Sequence, residues 1–210
     1  MKAHSGSDGA KRIFDVLIAS ILYVLTLPIQ GIIAVLIRKK LGSPVLFRQK
    51  RPGLHGEVFE LMKFRTMRDA LPGEGTESDG NRLTPFGTKL RSLSVDELPT
   101  LLNVIRGHMS LVGPRPLLVS YLDRYTPEQA RRHEVRPGIT GLAQVSGRNS
   151  LSWEEKFDLD IRYLESRTFK LDLEILIRTI APVVGRRGVS SNGVPTMPEF
   201  LGPGQKAPRD

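Results

Sequence analysis

The chain has 210 residues, with 31 lysines and arginines against 22 acidic residues, and its formal net charge is +9. This length suits one domain with an appendage, and the charge indicates an anionic partner: a phosphate-rich substrate, a nucleic acid or an anionic membrane surface. Cysteine is absent, which excludes disulfides, thiolate nucleophiles and cysteine zinc sites. The four histidines lack metal-ligand spacing, and neither a Walker A loop nor a G-x-G-x-x-G motif occurs.

The first predicted element is an apolar run from Ile13 to Ile37. As a helix its 25 residues would extend about 37 Å, enough to cross a hydrocarbon core of about 30 Å. Pro28 kinks or breaks such a helix, and cations flank both ends, at 11–12 and 38–40. Because such clusters favour the cytoplasmic face, a single crossing places one of them badly. From these residues, a spanning helix and a re-entrant helix that dips and returns are both open.

The rest of the chain predicts a compact, mostly helical α+β domain with a short β-hairpin. The hairpin is expected between residues 44 and 64, and a polar, glycine-rich loop at 71–81. Helices are expected to begin at capping residues or early prolines: Thr84, Pro99, Thr126 and Ser152. A final apolar helix follows. The tail after Gly185 is rich in Pro, Gly and Ser and is predicted to be flexible.

Two adjacent carboxylates, Asp96 and Glu97, stand out in this basic chain. One interpretation is helix capping, in which Ser94 and Glu97 form a capping box at a helix N-terminus. The other is catalysis. Adjacent helical residues diverge by about 100°, so the acids would take distinct roles, one as nucleophile or metal ligand and the other as proton handler or second ligand. The residues leave both interpretations open.

Arg115 lies between two prolines in the sequence GPRP, which fixes the backbone on both sides of a guanidinium whose fork matches a phosphate. A rigid surface turn is the alternative. Four other cations lie in loops or at element edges and would complete a phosphate site with the acids and a divalent cation: Lys63, Arg65, Arg136 and Arg148. Asp158 and Asp160 point to different helix faces and are rejected as a metal pair, although Asp160 alone could reach a site.

Six motifs, in order, resemble the small monotopic phosphoglycosyl transferases, the bacterial sugar transferase family. They are KRIFDVLIAS, RPGLHGEVFELMKFRTM, LRSLSVDELPTLLNVIRG, MSLVGPRPLL, VRPGITGLAQVSGRN and WEEKFDLDIRY. The resemblance covers residues 11–184, and the nearest likeness is to the transferases of diacetylbacillosamine phosphate. Such enzymes move a sugar-1-phosphate from a UDP-sugar to polyprenol phosphate, release UMP and use Mg²⁺.

The resemblance implies roles for the residues singled out above. Asp96 is the expected nucleophile, which forms a covalent aspartyl phosphosugar, and also the expected Mg²⁺ ligand. Glu97 is the expected dyad partner. Substrate phosphates are expected to contact Lys63, Arg65, Arg115, Arg136 and Arg148. The sequence departs from the family pattern at two positions. Leu27 stands where Ser commonly precedes the membrane-breaking proline, which removes a side-chain partner for the break unless Thr26 substitutes for that serine. His108 stands where Asp is usual.

The resemblance also implies a re-entrant helix-break-helix at 11–40 with its break at Pro28, a catalytic domain at 41–184 and a flexible tail at 185–210. The expected location is a bacterial cytoplasmic membrane, with the catalytic domain on the cytoplasmic face. The expected partners are a UDP-sugar, polyprenol phosphate and the lipid bilayer. Nucleic acid is not expected, because the few aromatics are not interleaved with arginines. The sugar, the glycoconjugate pathway and a homo-oligomer are left open, and a non-catalytic basic module that binds anionic lipid or RNA is the alternative.

Overall fold

A computed structural model describes residues 5–69, 82–147, 150–185 and 199–204. The described chain is mostly helical, with two small sheets, as the sequence predicts. The helices are α1 (Ser5–Lys40), α2 (Pro85–Ser92), α3 (Leu101–Ile105), α4 (Pro127–Ala130), α5 (Leu142–Ser146), α6 (Trp153–Ser166) and α7 (Phe169–Gly185). The strands are β1 (Leu46–Pro52), β2 (Val58–Phe64), β3 (Ser110–Val112) and β4 (Gly138–Thr140). Short 3₁₀ helices connect several of them, among them Val95–Thr100, Val119–Arg124 and Arg131–Glu134.

Helix α1 is one continuous helix, with Pro28 inside it. The structure therefore differs at this point from the predicted helix-break-helix. The Thr26 hydroxyl donates to the carbonyls of Leu22 and Tyr23, and the Gln30 side chain donates to that hydroxyl. Thr26 thus bonds within this turn, but it does not bond to the Val24 carbonyl, which loses its helical donor because proline has no N–H.

One face of α1 lies on the folded domain and the rest is exposed. Asp15, Ala19, Gln30, Ile33 and Ile37 are buried, at the three- and four-residue spacing that places side chains on one face of a helix. Most of the other apolar side chains of the helix are exposed. Among the described residues, this is the one helix long and apolar enough to cross a membrane. Its exposed apolar surface needs a partner other than water.

Both ends of α1 are fixed to the same folded domain. Near the N-terminus, Arg12 donates to the carbonyls of Ile105 and Met109, and the buried carboxylate of Asp15 accepts a 2.8 Å bond from the Ser110 hydroxyl. Near the C-terminus, the fully buried side chain of Ile37 lies in an apolar cluster with Phe64 and Leu90. The flanking cation clusters therefore lie beside one body of protein.

The β-hairpin is the platform for the site that follows. Strands β1 and β2 pair antiparallel, with Phe47 opposite Lys63. The outer edge of β2 is bonded by buried polar side chains of the following helices: Asn103 accepts from the amide of Met62 and donates to the carbonyl of Glu60, and Thr100 donates to the carbonyl of Met62. Satisfying these edge groups joins the strand that carries Lys63 to the segment that carries the two acids.

The predicted capping boxes at Thr126 and Ser152 are confirmed, with both reciprocal bonds present in each. The Thr84 side chain likewise caps α2. The flexible tail expected at 185–210 stays a prediction, and most of it lies outside the described residues. Within residues 199–204, Phe200 is 2% exposed and lies in an apolar cluster with Tyr121 and Phe157.

Candidate active site

The acid pair lies in the 3₁₀ helix Val95–Thr100, directly before α3. Ser94 does not form the capping box: its backbone is left-handed, with φ of 54°, and its side chain makes no capping bond. A left-handed conformation is uncommon for a residue with a side chain, and such positions often lie at functional sites. The predicted capping box of Ser94 and Glu97 is therefore not formed.

Glu97 is held as a permanent anion. Lys63 of β2 forms a salt bridge with its carboxylate, and the Arg115 guanidinium lies 3.5 Å from the same oxygen. Burial alone would raise the pKa of Glu97, but the charges of Lys63 and Arg115 outweigh it and hold this pKa at about 2. Glu97 is thus ionised at every pH at which the protein would work, and it is unsuited to donating or accepting protons near neutrality.

The pKa of Asp96 is shifted in the opposite direction to that of Glu97. The Asp96 side chain is buried, and that burial, together with the neighbouring negative charge of Glu97, raises its pKa to about 6. Lys63 and Arg91 pull this pKa down in part. Two adjacent carboxyls with widely separated pKa values have different chemical roles. Asp96 therefore carries the more basic carboxylate of the two, while Glu97 pairs with Lys63 and Arg115.

A buried ion pair behind the GPRP loop holds Arg115 in place. Arg132 donates 3.0 and 2.7 Å bonds to one carboxylate oxygen of Asp160, and another 2.8 Å bond to the backbone carbonyl of Arg115. The Arg115 side chain itself is half exposed, so it can meet a substrate. No sequence pattern indicated Arg132. Asp160, which was expected to be able to reach a site, is 4% exposed and accepts both bonds from Arg132.

Two more cations that the sequence analysis did not single out lie near Arg115. Burial and the charge of Arg115 lower the pKa of Arg51 to about 10 and that of Lys156 to about 8. The Arg51 guanidinium also approaches the carbonyl of Pro116, at 3.4 Å. Arg51 and Lys156 thus add positive charge beside Arg115, and such a surface suits a polyanion such as a diphosphate. No sequence pattern marked them, because they come from a strand and a helix distant in the chain.

The predicted phosphate ligand Arg65 does not join this site. Its guanidinium is 8% exposed and donates to the carbonyls of Leu41, Ser43 and Met67. These bonds fasten the linker between α1 and β1 to the hairpin. Its charged contact is with Asp69, at 3.4 Å. These contacts are structural, and phosphate binding by Arg65 stays a prediction.

We expect Arg65→Gln to lower stability without changing substrate recognition. The variant leaves three carbonyls without a charged donor, and each such loss costs about 1–3 kcal/mol. The melting temperature should therefore fall by several degrees, while KM for the donor sugar nucleotide in the folded protein stays within about twofold of the original value. A large rise in KM with unchanged melting temperature would return Arg65 to the phosphate site.

Arg136, another predicted phosphate ligand, contacts neither Asp96 nor Glu97 among the described residues. Arg136 donates a 2.9 Å bond to the carbonyl of Gly107, at the end of α3 that also receives Arg12. It supports the contact between α1 and the domain. Arg148 lies outside the described residues. His108, which replaces the family's usual Asp, stacks on Phe59 with ring centroids 5.6 Å apart. It has no contact with Asp96 or Glu97 among the described residues.

The described residues contain no group of three His, Asp or Glu side chains that could hold a metal ion by themselves. Two adjacent carboxylates beside a phosphate-binding surface do fit Mg²⁺, which keeps several waters and uses one or two carboxylates plus substrate phosphates. Of the pair, Asp96 is the less occupied by cations, since Lys63 and Arg115 both contact Glu97. The donor set thus suits a magnesium ion that arrives with its phosphate substrate.

Comparison with known proteins gives the class that this fold and site define. Residues 6–186 match the bacterial sugar transferase family. The chain therefore belongs to that family and is a transferase, which sets aside the non-catalytic alternative.

Particular relatives support the same class. The chain is 51% identical over 195 residues to the "Uncharacterized sugar transferase EpsL" of Bacillus subtilis, covering 92% of this chain and 96% of that one. It is 41% identical over 184 residues to a UDP-glucose:undecaprenyl-phosphate glucose-1-phosphate transferase of Caulobacter vibrioides, covering 82% and 69% respectively. It is also 37% identical over 197 residues to the exopolysaccharide production protein ExoY of Rhizobium meliloti, covering 85% and 87%.

Proposed function

We propose that this enzyme transfers a sugar-1-phosphate from a UDP-sugar to polyprenol phosphate and releases UMP. The observation that carries the proposal is the contrast within the acid pair. Asp96 is a buried carboxyl with a pKa of about 6, beside Glu97, whose pKa two cations hold at about 2. The names of relatives such as the Caulobacter enzyme, which acts on UDP-glucose and undecaprenyl phosphate, support the substrate classes.

The proposed reaction has two displacements at one phosphorus. An Asp96 oxygen attacks the sugar-bearing phosphorus of the UDP-sugar; the new P–O bond forms as the bond to the bridging oxygen breaks, and UMP leaves with that electron pair. A phosphate oxygen of polyprenol phosphate then attacks the same phosphorus and the Asp96 carboxylate departs. The product is a polyprenyl diphosphate sugar. Dividing the transfer this way lets one site serve two substrates in turn.

The cations stabilise charge and the neighbouring acid positions them. Arg115, Arg51 and Lys156 offer positive charge where phosphoryl oxygens would gather. Glu97 fixes Lys63 and Arg115 beside Asp96. Mg²⁺, held by Asp96 and the substrate phosphates, would supply further neutralisation of charge on the leaving UMP. Asp96 itself is largely ionised above pH 6, so the protein's nucleophile is available at neutral pH.

We propose that α1 dips into a bacterial cytoplasmic membrane and that the catalytic domain faces the cytoplasm. Two facts support a dip and not a crossing: both ends of α1 contact one folded domain, and both carry cations. The exposed apolar surface continues onto α7, where Phe169, Leu173 and Ile177 are exposed and the rings of Phe14 and Phe169 lie 5.0 Å apart. An apolar surface on two adjoining helices fits a lipid interface.

Single cysteines test this topology, because the chain contains none of its own. We expect Ala10→Cys and Ser43→Cys, both at exposed positions flanking the apolar run of α1, to be labelled equally by an impermeant thiol reagent in inside-out vesicles. Neither should be labelled in intact cells. Labelling of one cysteine from each side would instead show that α1 crosses the bilayer. Pro28 would then lie within a helix that spans the bilayer.

The assay for the proposed function is UMP release from a panel of UDP-sugars with polyprenol phosphate and Mg²⁺. The nearest likeness in motif was to transferases of diacetylbacillosamine phosphate, whereas relatives act on UDP-glucose by name, so both donors belong in the panel. We expect turnover with one of them, loss of turnover with a chelator and recovery on adding Mg²⁺. Absence of UMP release with every donor would refute the proposal.

A further inference from the structure

Residues 199–204 carry one deeply buried side chain, that of Phe200, which is 2% exposed. Phe200 enters a cluster of four rings, here called the aromatic pocket, which consists of Tyr121, Tyr125, Trp153 and Phe157. The distances from its ring centroid to theirs are 5.6, 5.9, 5.6 and 5.0 Å, in that order. Edge-to-face and stacked contacts of this kind add stability beyond the apolar area that they bury.

The backbone around Phe200 is fixed as well as its ring. The Phe200 amide donates a 3.2 Å bond to the Tyr121 hydroxyl, and Arg124 donates to the Phe200 carbonyl and, at 2.7 Å, to the Glu199 carboxylate. A ring, an amide, a carbonyl and a charge are thus all engaged within two consecutive residues. This is a specific docking of one segment, and it differs from a loose apolar contact.

Two rings of the aromatic pocket, Tyr125 and Phe157, also pack against Arg132. The Arg132 guanidinium lies 5.8 Å from the ring centroid of Tyr125 and 5.7 Å from that of Phe157, and it donates to the Tyr125 hydroxyl at 3.3 Å. Both rings contact Phe200. The same guanidinium donates to the Arg115 carbonyl. A continuous series of contacts therefore runs from Phe200 through Arg132 to Arg115, which lies 3.5 Å from Glu97.

We propose that Phe200 is a positioning residue of the active site and acts on Arg115 through the aromatic pocket and Arg132. This inference rests on the proposed function. Phe200 does not touch a substrate or a reacting atom, so it is a positioning residue. Removing the Phe200 ring leaves a cavity beside Tyr125 and Phe157, into which these rings relax. The Arg132 guanidinium, which bonds to the Arg115 carbonyl, then loses its fixed packing against them.

The first experiment measures UMP release by Phe200→Ala. We expect kcat to fall about tenfold, since a displacement of about 1 Å in a positioned group can cost up to about 10²-fold. Pro203→Ala, an exposed change in the same segment, is the matched control and should keep the original kcat. Circular dichroism and a melting curve establish that each variant is folded at the assay temperature. If the alanine variant is not, Phe200→Leu, which keeps most of the apolar volume without the ring, takes its place.

A double-variant cycle separates positioning from a general loss of stability. If Phe200 acts through Arg115, then Phe200→Ala should change kcat by less than about twofold in an Arg115→Ala background, because the two residues belong to one coupled unit. Independent effects that multiply would overturn the inference. Unchanged kcat in Phe200→Ala would overturn it too, while leaving the proposed function intact. A wild-type protein that releases no UMP with any donor would defeat both.

Docking itself has a readout that does not depend on turnover. Trp153 is the one tryptophan of the chain, and it lines the aromatic pocket. Deleting residues 199–210 should shift its emission to longer wavelength as the ring gains water. A peptide of residues 195–206 added in trans should reverse the shift and restore kcat, whereas the same peptide with Phe200→Ala should do neither. Emission that the deletion does not change would show that the pocket is not filled by Phe200.

Discussion

Replacing Asp96 with asparagine is expected to reduce UMP release by at least about 10⁴-fold, because removing a covalent nucleophile costs on the order of 10⁶-fold in well-studied enzymes. Asparagine has nearly the same volume, so the cavity is preserved, but its amide is uncharged and a poor nucleophile. The burial that raises the pKa of Asp96 to about 6 still leaves the wild-type carboxylate ionised at neutral pH. Activity should therefore be lost while substrate binding remains measurable.

The same substitution is expected to stabilise the protein at pH 8. The folded state holds the Asp96 proton more tightly than the unfolded state, whose carboxyl titrates near 3.8. Stability is therefore lost as pH rises through about 6, where the buried group becomes charged. Asparagine never carries that charge. Its advantage should be on the order of 2–3 kcal/mol at pH 8 and should vanish towards pH 4.

Melting curves of both proteins across this pH range provide the measurement. Asp15→Asn is a suitable comparison, since Asp15 is also buried but accepts two hydrogen bonds and should lose stability on substitution. A lower melting temperature for Asp96→Asn at pH 8 would show that the Asp96 charge is favourably held. That result would contradict the assignment of Asp96 as a carboxylate whose charge is destabilised by burial.

Replacing Lys63 with methionine is the second change with a large expected effect. Among the described residues, it leaves Glu97 with the half-exposed Arg115 as its counter-charge. Breaking one side of a buried ion pair costs about 3–5 kcal/mol, and the partial exposure of this pair places it at the lower end. We expect kcat to fall by about 10²–10³-fold, since charge stabilisation at the phosphoryl group is lost with it.

The pH profile gives Lys63→Met a distinctive signature. The Lys63 charge lowers the pKa of Asp96, so its removal should move the acid limb of kcat/KM to higher pH than the wild-type value near 6. The double variant Lys63→Met with Glu97→Gln removes both charges and should recover most of the stability but not the activity. A double variant with full activity would reduce the pair to a structural role. An acid limb that does not move would separate Lys63 from Asp96.

The helix caps and the β-hairpin were predictable from the sequence because their interacting residues lie close together in the chain. The caps at Thr84, Thr126 and Ser152 each bond a backbone amide three residues ahead, and the hairpin depends on alternating residues around a short turn. The acid pair was also recognisable, since adjacent carboxylates in a basic chain are visible without any structure. Spacing alone established these features.

Features that depend on distant partners were not predictable. Arg132 and Asp160 are 28 residues apart, and Arg124 and Phe200 are 76 apart, so nothing local indicates that they meet. Arg65 shows the same limit: it lies in a motif expected to bind phosphate, and nothing local indicates that it donates to the carbonyls of Leu41, Ser43 and Met67. Sequence composition predicts that cations will find anions, but not which ones.

The central claim is that Asp96 becomes covalently bonded to phosphorus during turnover. The direct test is to mix the enzyme with a UDP-sugar and Mg²⁺ without polyprenol phosphate, quench in acid and map the peptides by mass spectrometry. We predict one sugar phosphate on the peptide that contains Asp96, released when polyprenol phosphate is added and absent in Asp96→Asn. An adduct on another residue, or full turnover with no adduct under any quench, would contradict the account.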